Sequence, residues 1–345
     1  MSNQNQVAKQ EESTSTRFMN LVVAEFKGST GEVALTNFQK RLAQNYFMVA
    51  DTALRTAEEK RQRKTGDYQG KTPVVWANVN MELLAQQVVS AARVGWDPMQ
   101  NNHVSLIPFK DNASNTYKMT FMPGYRGLEL RATKYGLEVP AVTVELVYTK
   151  DKFKSYKKNR DNKVESYDFE IVDDFDRGEI KGGFYYHDYK SNPEKNKVVT
   201  FNMKDIEKRK PKYASAEFWG GEKTVYKNGK AAGKEKIEGW FDKMCWKTIC
   251  RAAYNDITID SQKIDDDFLR LKQTENDFAQ AEVDQEIAEN ANKQVIDIDY
   301  EEAEFTEPDQ VPEPKAEPAP KQDKKQEPKP EEPPAQEFGD DSPPF

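Results

Sequence analysis

Apolar residues between Thr16 and Val94 recur at helical spacing, and each run ends on a recognisable stop signal. Phe18, Leu21, Val22 and Phe26 predict a short helix over Thr16 to Lys27, closed by Gly28-Ser29-Thr30-Gly31. From about Thr36, the spacing of Phe38, Leu42, Val49, Ala53 and Ala57 carries a longer helix to Lys60-Arg61-Gln62-Arg63-Lys64, where cations suit the negative pole of a helix. Gly66 to Gly70 is a loop. Thr72-Pro73 then opens a third helical region with Leu84, Val88, Ala91 and Val94 on its buried face and Gly95 at its end. The period then falls to that of a strand. Runs from Val104 to Phe109 and from Tyr117 to Met122 flank a polar tip, Asp111 to Thr116, and predict a hairpin. Leu128, Ala132 and Tyr135 restore helical spacing until Gly136.

After Pro140 the runs Val142 to Thr149, Lys152 to Lys157, Val164 to Val172, Ile180 to Lys190 and Lys197 to Met203 alternate between Asn, Asp and Gly turns, which predicts a twisted antiparallel meander. Lys204 to Lys212 reads as a short helix, and Gly220 to Lys236 as a mobile Gly/Lys-rich loop. Gly239 to Asp256 has the strongest amphipathic helical pattern in the chain. The expected class is α+β: a twisted antiparallel sheet and hairpin core packed with helices, preceded by N-terminal helices.

Charge divides this body from the C-terminal residues. Of 51 Lys and Arg and 59 Asp and Glu, 6 and 22 fall after Thr274, which leaves 45 bases against 37 acids before it. A basic body joined to an acidic segment implies a polyanion partner for the body. Eleven of the 18 prolines lie from Pro308 to Pro344 among Glu, Lys, Gln and Ala, a composition expected to stay disordered. Cys245 and Cys250, five apart, fit neither a redox pair nor a zinc knuckle and read as core thiols in a reducing compartment. A polar Met1 to Ser15 and the lack of any long apolar run lead to the expectation of a cytoplasmic protein that does not enter a membrane. Gly229-Lys230-Ala231-Ala232-Gly233-Lys234-Glu235 mimics a P-loop, but it has three residues between its glycines and Glu where Ser or Thr belongs. Asp173-Asp174-Phe175-Asp176 reads as a solvated turn rather than a metal loop. Nothing in the chain points to nucleotide hydrolysis, a cofactor or an enzyme active site, and no carboxylate cluster of the kind a nuclease needs stands in the basic body.

Two stretches carry candidate chemistry. In Gly124-Tyr125-Arg126-Gly127 a strand turns into a helix, placing a ring and a guanidinium beside a helix N-terminus. This is either an anion site with a stacking surface or a tight structural turn with a surface arginine. In Gly239 to Asp256, Phe241, Cys245, Ile249 and Ala252 share one face while Lys243, Lys247 and Arg251 line another, with Trp240 and Tyr254 on the basic side. The three cations span ~12 Å, enough to follow several phosphates, and rings in register suit unpaired bases of any sequence; the alternative is an ordinary solvated helix face with stray aromatics.

Pro98, His103-Val104-Ser105-Leu106-Ile107-Pro108-Phe109, Gly124-Tyr125-Arg126-Gly127-Leu128, Leu130-Arg131-Ala132-Thr133-Lys134-Tyr135-Gly136, and then Trp240, Met244, Lys247-Thr248 and Arg251 closely resemble, in that order, the RecT-type phage single-strand annealing proteins. Trp96 stands where that family usually has a smaller aliphatic residue, and Ala252 where a second arginine is common. The resemblance extends over roughly Thr72 to Ile259. It implies a core similar to the Rad52 and Red-beta annealing proteins, assembly into rings or helical filaments, and ATP-independent pairing of complementary single-stranded DNA beside a phage 5′→3′ exonuclease. Whether Mg²⁺ takes part is left open. It implies that Tyr125 and Arg126 meet the strand, with Lys243, Lys247 and Arg251 along the same groove; Lys110, Lys118, Lys208 and Lys210 join them on local charge. A passive single-strand-binding protein is the alternative. The expected organisation is a disordered leader over 1–15, helices for subunit contacts over 16–95, a DNA-binding core over 96–270 and a disordered acidic tail over 271–345. The closing Asp340-Asp341-Ser342-Pro343-Pro344-Phe345 resembles the tip of bacterial single-strand DNA-binding proteins, so Asp340, Asp341 and Phe345 are expected either to engage the host partners of that tip or simply to keep the tail acidic and soluble.

Overall fold

The computed structural model describes residues 12–30, 36–63, 72–111, 114–211, 214–227 and 230–290. The expected sites at Asp340, Asp341 and Phe345 lie outside the described residues. Helix α1 (Thr14–Thr30) starts where the hydroxyl of Ser13 accepts the Thr16 N–H, so helix begins inside the expected leader. Helix α2 (Asn37–Arg63) comes next. The third helix begins later than its spacing suggests. Trp76–Asn78 is one 3₁₀ turn, and Asn80 then accepts the Leu83 N–H at 3.0 Å to cap α3 (Met81–Val94). Gly95 ends α3 in the left-handed region, φ 87°.

Strands β1 (Val104–Asp111) and β2 (Thr116–Pro123) form the expected hairpin, and α4 (Tyr125–Tyr135) leaves from its end. Next come β3 (Ala141–Tyr148), β4 (Lys152–Tyr156), β5 (Ser166–Glu170), β6 (Ile180–Asp188) and β7 (Lys197–Asn202). These strands do not form the sequential meander expected. The sheet order is β3-β6-β7, and β4-β5 is a separate hairpin between β3 and β6. The reason is amphipathic. Phe153 of that hairpin stacks on Phe184 of β6 at 4.5 Å between centroids and Tyr167 meets the same ring tilted at 4.7 Å, while Lys152 pairs with Glu170 on its outer side. The hairpin thus covers one face of the three-stranded sheet.

Short helices α5 (Met203–Glu207) and α6 (Ala216–Trp219) precede β8 (Gly221–Lys227) and β9 (Lys230–Ile237). The segment read as a mobile loop is therefore an antiparallel hairpin. Its Lys/Glu alternation hides the strand signal, yet the same alternation lets Lys234 pair across the ladder with Glu222 at 2.8 Å. Helix α7 (Phe241–Asn255) packs on the other face of the sheet, where Ile249 lies against Gly183, Tyr185 donates to Asp256 and His187 bonds the Ala253 carbonyl.

Helix α8 (Asp266–Asn290) runs across the expected tail boundary at 271. Phe268, Leu271 and Thr274 are buried, and Glu275 accepts from Arg131 at 2.6 Å. Two apolar cores result. One joins α1, α2, α3, the β1-β2 hairpin, Tyr135 and α8, so no gap in packing falls at residue 95, where the helical region was expected to end. The other joins the β3-β6-β7 sheet to α5, Trp219 and α7. Among the described residues no helix is long and apolar enough to cross a membrane.

Candidate nucleic-acid interface

The corner between β2 and α4 is built on the turn that precedes β1. Gly124 donates its N–H to the His103 carbonyl at 2.9 Å, and Gly127 donates to the Asn102 carbonyl at 3.2 Å. A Cβ on either glycine would overlap one of those carbonyls. The close approach that the glycines permit is thus to the chain's own backbone, and two amides of the helix N-terminus are spent on it. Trp96 completes the support: it is fully buried, and its indole N–H donates to the Gly127 carbonyl at 2.8 Å. The large residue at this position is a brace for the corner.

On that base Arg126 is exposed, with its guanidinium 5.9 Å from the centre of the Tyr125 ring. Tyr125 meets Trp246 of α7 edge to face at 5.2 Å, and Trp246 is fixed by its N–H to the Val144 carbonyl at 3.1 Å. Helices α4 and α7 lie side by side in the same direction, since Tyr125 meets Trp246, Glu129 bonds Tyr254 and Arg131 reaches Asn255. The fold therefore joins the two stretches singled out in the sequence.

The basic stripe of α7 is not uniform along its length. At the N-terminal end Trp240 is 61% exposed, with the Lys243 ammonium 4.5 Å from its ring centre. Lys247 is half-buried one turn further on. Arg251 turns inward and donates to the Pro123 carbonyl, and burial lowers its pKa. Tyr254 is half-buried, and burial, with its bond to Glu129, raises its hydroxyl pKa. On this helix Lys243 is exposed and Lys247 half-buried, while Arg251 ties α7 to the corner. Beneath them Cys245 and Cys250 are unpaired buried thiols, each pushed up to about 12 by desolvation.

The remaining lysines fall into two places. Lys208 and Lys210 are exposed just after α5, and Lys210 lies 5.6 Å over the ring of Trp219. Trp219 meets Phe241, the first residue of α7, edge to face at 6.2 Å, which brings Lys210 to the same end as Trp240 and Lys243. Phe218 is 54% exposed there, and its carbonyl accepts the Trp240 N–H at 2.8 Å. Neither Phe218 nor Trp246 belongs to the residues singled out from the sequence. Trp246 sits off the basic stripe by about 60°, and only the position of α4 makes it part of the row. Lys110 and Lys118 stand at the far end of the β1-β2 hairpin, roughly 20 Å along the strands from the corner, and Lys118 pairs with Asp111 at 3.0 Å. They are not brought to α7.

Among the described residues no group of three or more His, Cys, Asp or Glu is placed to hold a metal ion. Helices on antiparallel sheets, with an exposed row of cations and rings, define the class: a mixed α+β protein with a cationic–aromatic face. The model of the RecT family matches residues 62–282, and the chain belongs to that family of single-strand annealing proteins of DNA recombination. Comparisons with curated proteins and with solved structures gave no match.

Proposed function

We propose that the chain anneals complementary strands of DNA without hydrolysing a nucleotide, and that one strand lies along the row from Arg126 through Tyr125 and Trp246 to Lys243, Trp240 and Lys210. The observation that carries this reading is the contact between Tyr125 and Trp246, which turns two separate motifs into one surface. Two strands resist pairing through phosphate repulsion and through the secondary structure each adopts alone. Arg126, Lys243 and Lys247 offset the first, and stacking of bases on exposed rings keeps the strand extended, at about 1–3 kcal/mol per base. Bases whose pairing edges stay outward sample an incoming strand, and a matched one zips in. No bond is made or broken, so no catalytic residue is required.

In this reading Arg251 and Trp96 position the row, Lys208 and Lys210 extend it, and Lys110 and Lys118 touch the strand only beyond the hairpin. The working form is a homo-oligomer, a ring or a helical filament, acting in the bacterial cytoplasm on ends exposed by a phage 5′→3′ exonuclease. The second reading is a passive coat for single strands, which the same charges would serve. The rate of pairing separates the two. Purified protein mixed with two complementary oligonucleotides is expected to speed duplex formation with no ATP present; an unchanged or slower rate would reject annealing and favour the coat.

A further inference from the structure

The geometry points to a head-to-tail contact between copies of this chain, in which the acidic loop between β5 and β6 of one copy docks its Phe175 on the outer face of α2 of the next. Phe175 is 100% exposed, and its neighbours Ile171 and Val172 are 36% and 55% exposed. Burying this apolar surface against a partner is favourable. The loop is also braced. Its Asp173 carboxylate accepts the Phe175 N–H at 2.9 Å, Asp176 pairs with Lys150, and Arg177 donates to Asp151 at 2.6 Å and to the Leu146 carbonyl at 2.8 Å. The protrusion is held in place by its base.

The surface that complements it must be apolar, basic and unused by the chain's own core. Helix α2 has one. At 100° per residue Phe38, Arg41, Met48, Thr52 and Arg55 fall within an arc of roughly 100°, opposite the buried Leu42, Tyr46 and Ala50. Phe38 is 58% exposed and Met48 49%. The segment from Asn37 to Ala50 carries Lys40 and Arg41 and no acid. Asp173 and Asp174 beside an aromatic tip meet Arg41 on the face that carries Phe38 and Met48, while Asp176 and Arg55 are held by Lys150 and Asp51 of their own chain, so the charges and the hydrophobic contacts agree on one docking. The loop leads into β6, which supplies Tyr185 to the second core, and α2 belongs to the first. Such a contact uses a different patch on each partner, and it propagates into a ring or a filament instead of closing as a dimer.

This inference rests on the assembly included in the proposed function, but it is tested apart from DNA pairing. Sedimentation of the full chain, with and without a single-stranded oligonucleotide, reads the assembled size. The wild type is expected to form oligomers, and Phe175→Glu and Met48→Glu each to sediment as monomers with an unchanged Tm, since both positions are exposed. An equal mixture of the two variants retains one good loop and one good helix face, so it is expected to give a heterodimer and nothing larger. Asp174→Arg and Arg41→Glu each lower the assembly constant tenfold or more, and both in one chain recover it. Wild-type size in either of the Glu variants at positions 48 and 175 would overturn the docking, as would a mixture that stays monomeric. A monomeric wild type that still speeds annealing would overturn the docking and leave the annealing reading intact. The expected pattern of sizes without any annealing would do the reverse.

Discussion

Gly127 is the residue on which the corner is least tolerant, because the Asn102 and His103 carbonyls lie against it from outside the helix. Its helical position makes alanine a better helix former, and propensity alone predicts a gain. The steric contact is with backbone, which cannot rotate away, so Gly127→Ala is expected to cost about 1–3 kcal/mol and to lower Tm in a thermal melt. A gain in Tm would mean that the turn before β1 is free to shift. The chain's two histidines contribute a pH dependence near neutrality. His187 is buried against the Ala253 carbonyl, and burial lowers its pKa from 6.5; His103 is lowered for the same reason. A depressed histidine pKa means that below about 6.5 the unfolded chain takes up a proton the folded chain refuses. Stability is therefore complete above that pH and falls as the solution is acidified through it. Tm recorded from about pH 7.5 to pH 5 should drop for the wild type and drop less for His187→Gln, which keeps an amide donor in place of the ring N–H.

At the scale of the element, α7 separates contact from support along one helix. Lys243 is exposed and Lys247 half-buried on the side proposed to meet a strand, and Arg251 is engaged with Pro123. Replacing Lys243 or Lys247 by alanine is expected to reduce the slope of log affinity against log salt by ~0.7 for each phosphate that is no longer neutralised, equally on every sequence and without a change in Tm. Arg251→Ala is expected to lower Tm first, because it leaves a buried carbonyl without its donor. Fluorescence titrations at several salt concentrations, paired with melts, check both. The amphipathic pattern of α7 was legible in the sequence because its period is local. What the period could not show is which neighbour covers the C-terminal half of the stripe, since α4 reaches it from more than a hundred residues away. The same limit explains Trp246, a ring off the stripe that joins the row only through Tyr125. It also explains β8-β9, where ion pairs across the ladder replace the apolar alternation that marks a strand. The β1-β2 hairpin and the stop at Gly95 were legible because turn chemistry and a left-handed cap are properties of a few adjacent residues.

For the whole molecule, α8 decides where the folded body ends. Composition turns acidic near residue 275, and that shift invites a boundary before it, yet Phe268 and Leu271 close the first core and their burial contributes about 1.5–3 kcal/mol each. The helix also completes polar groups that the rest of the body cannot satisfy. Tyr135 donates to Asp265 at 2.8 Å at its start, Ser90 donates to Asp267 at 2.8 Å, and Arg131, itself buried, pairs with Glu275. Without α8, Arg131 loses the carboxylate it pairs with, and breaking such a pair while the arginine stays buried costs about 3–5 kcal/mol. Against a total stability of about 5–15 kcal/mol for a domain, these losses are comparable to the whole. A chain ending at Ile264 is therefore expected to lose its cooperative melt and, with the α4-α7 row unsupported, its affinity for oligonucleotides. A chain ending at Asn290 is expected to keep the Tm of the full chain, because the residues it omits are too polar in composition to add to either core. Melting the two truncations beside the full chain tests this directly: a cooperative transition at an unchanged Tm in the shorter one would show that the annealing body is complete before α8 begins.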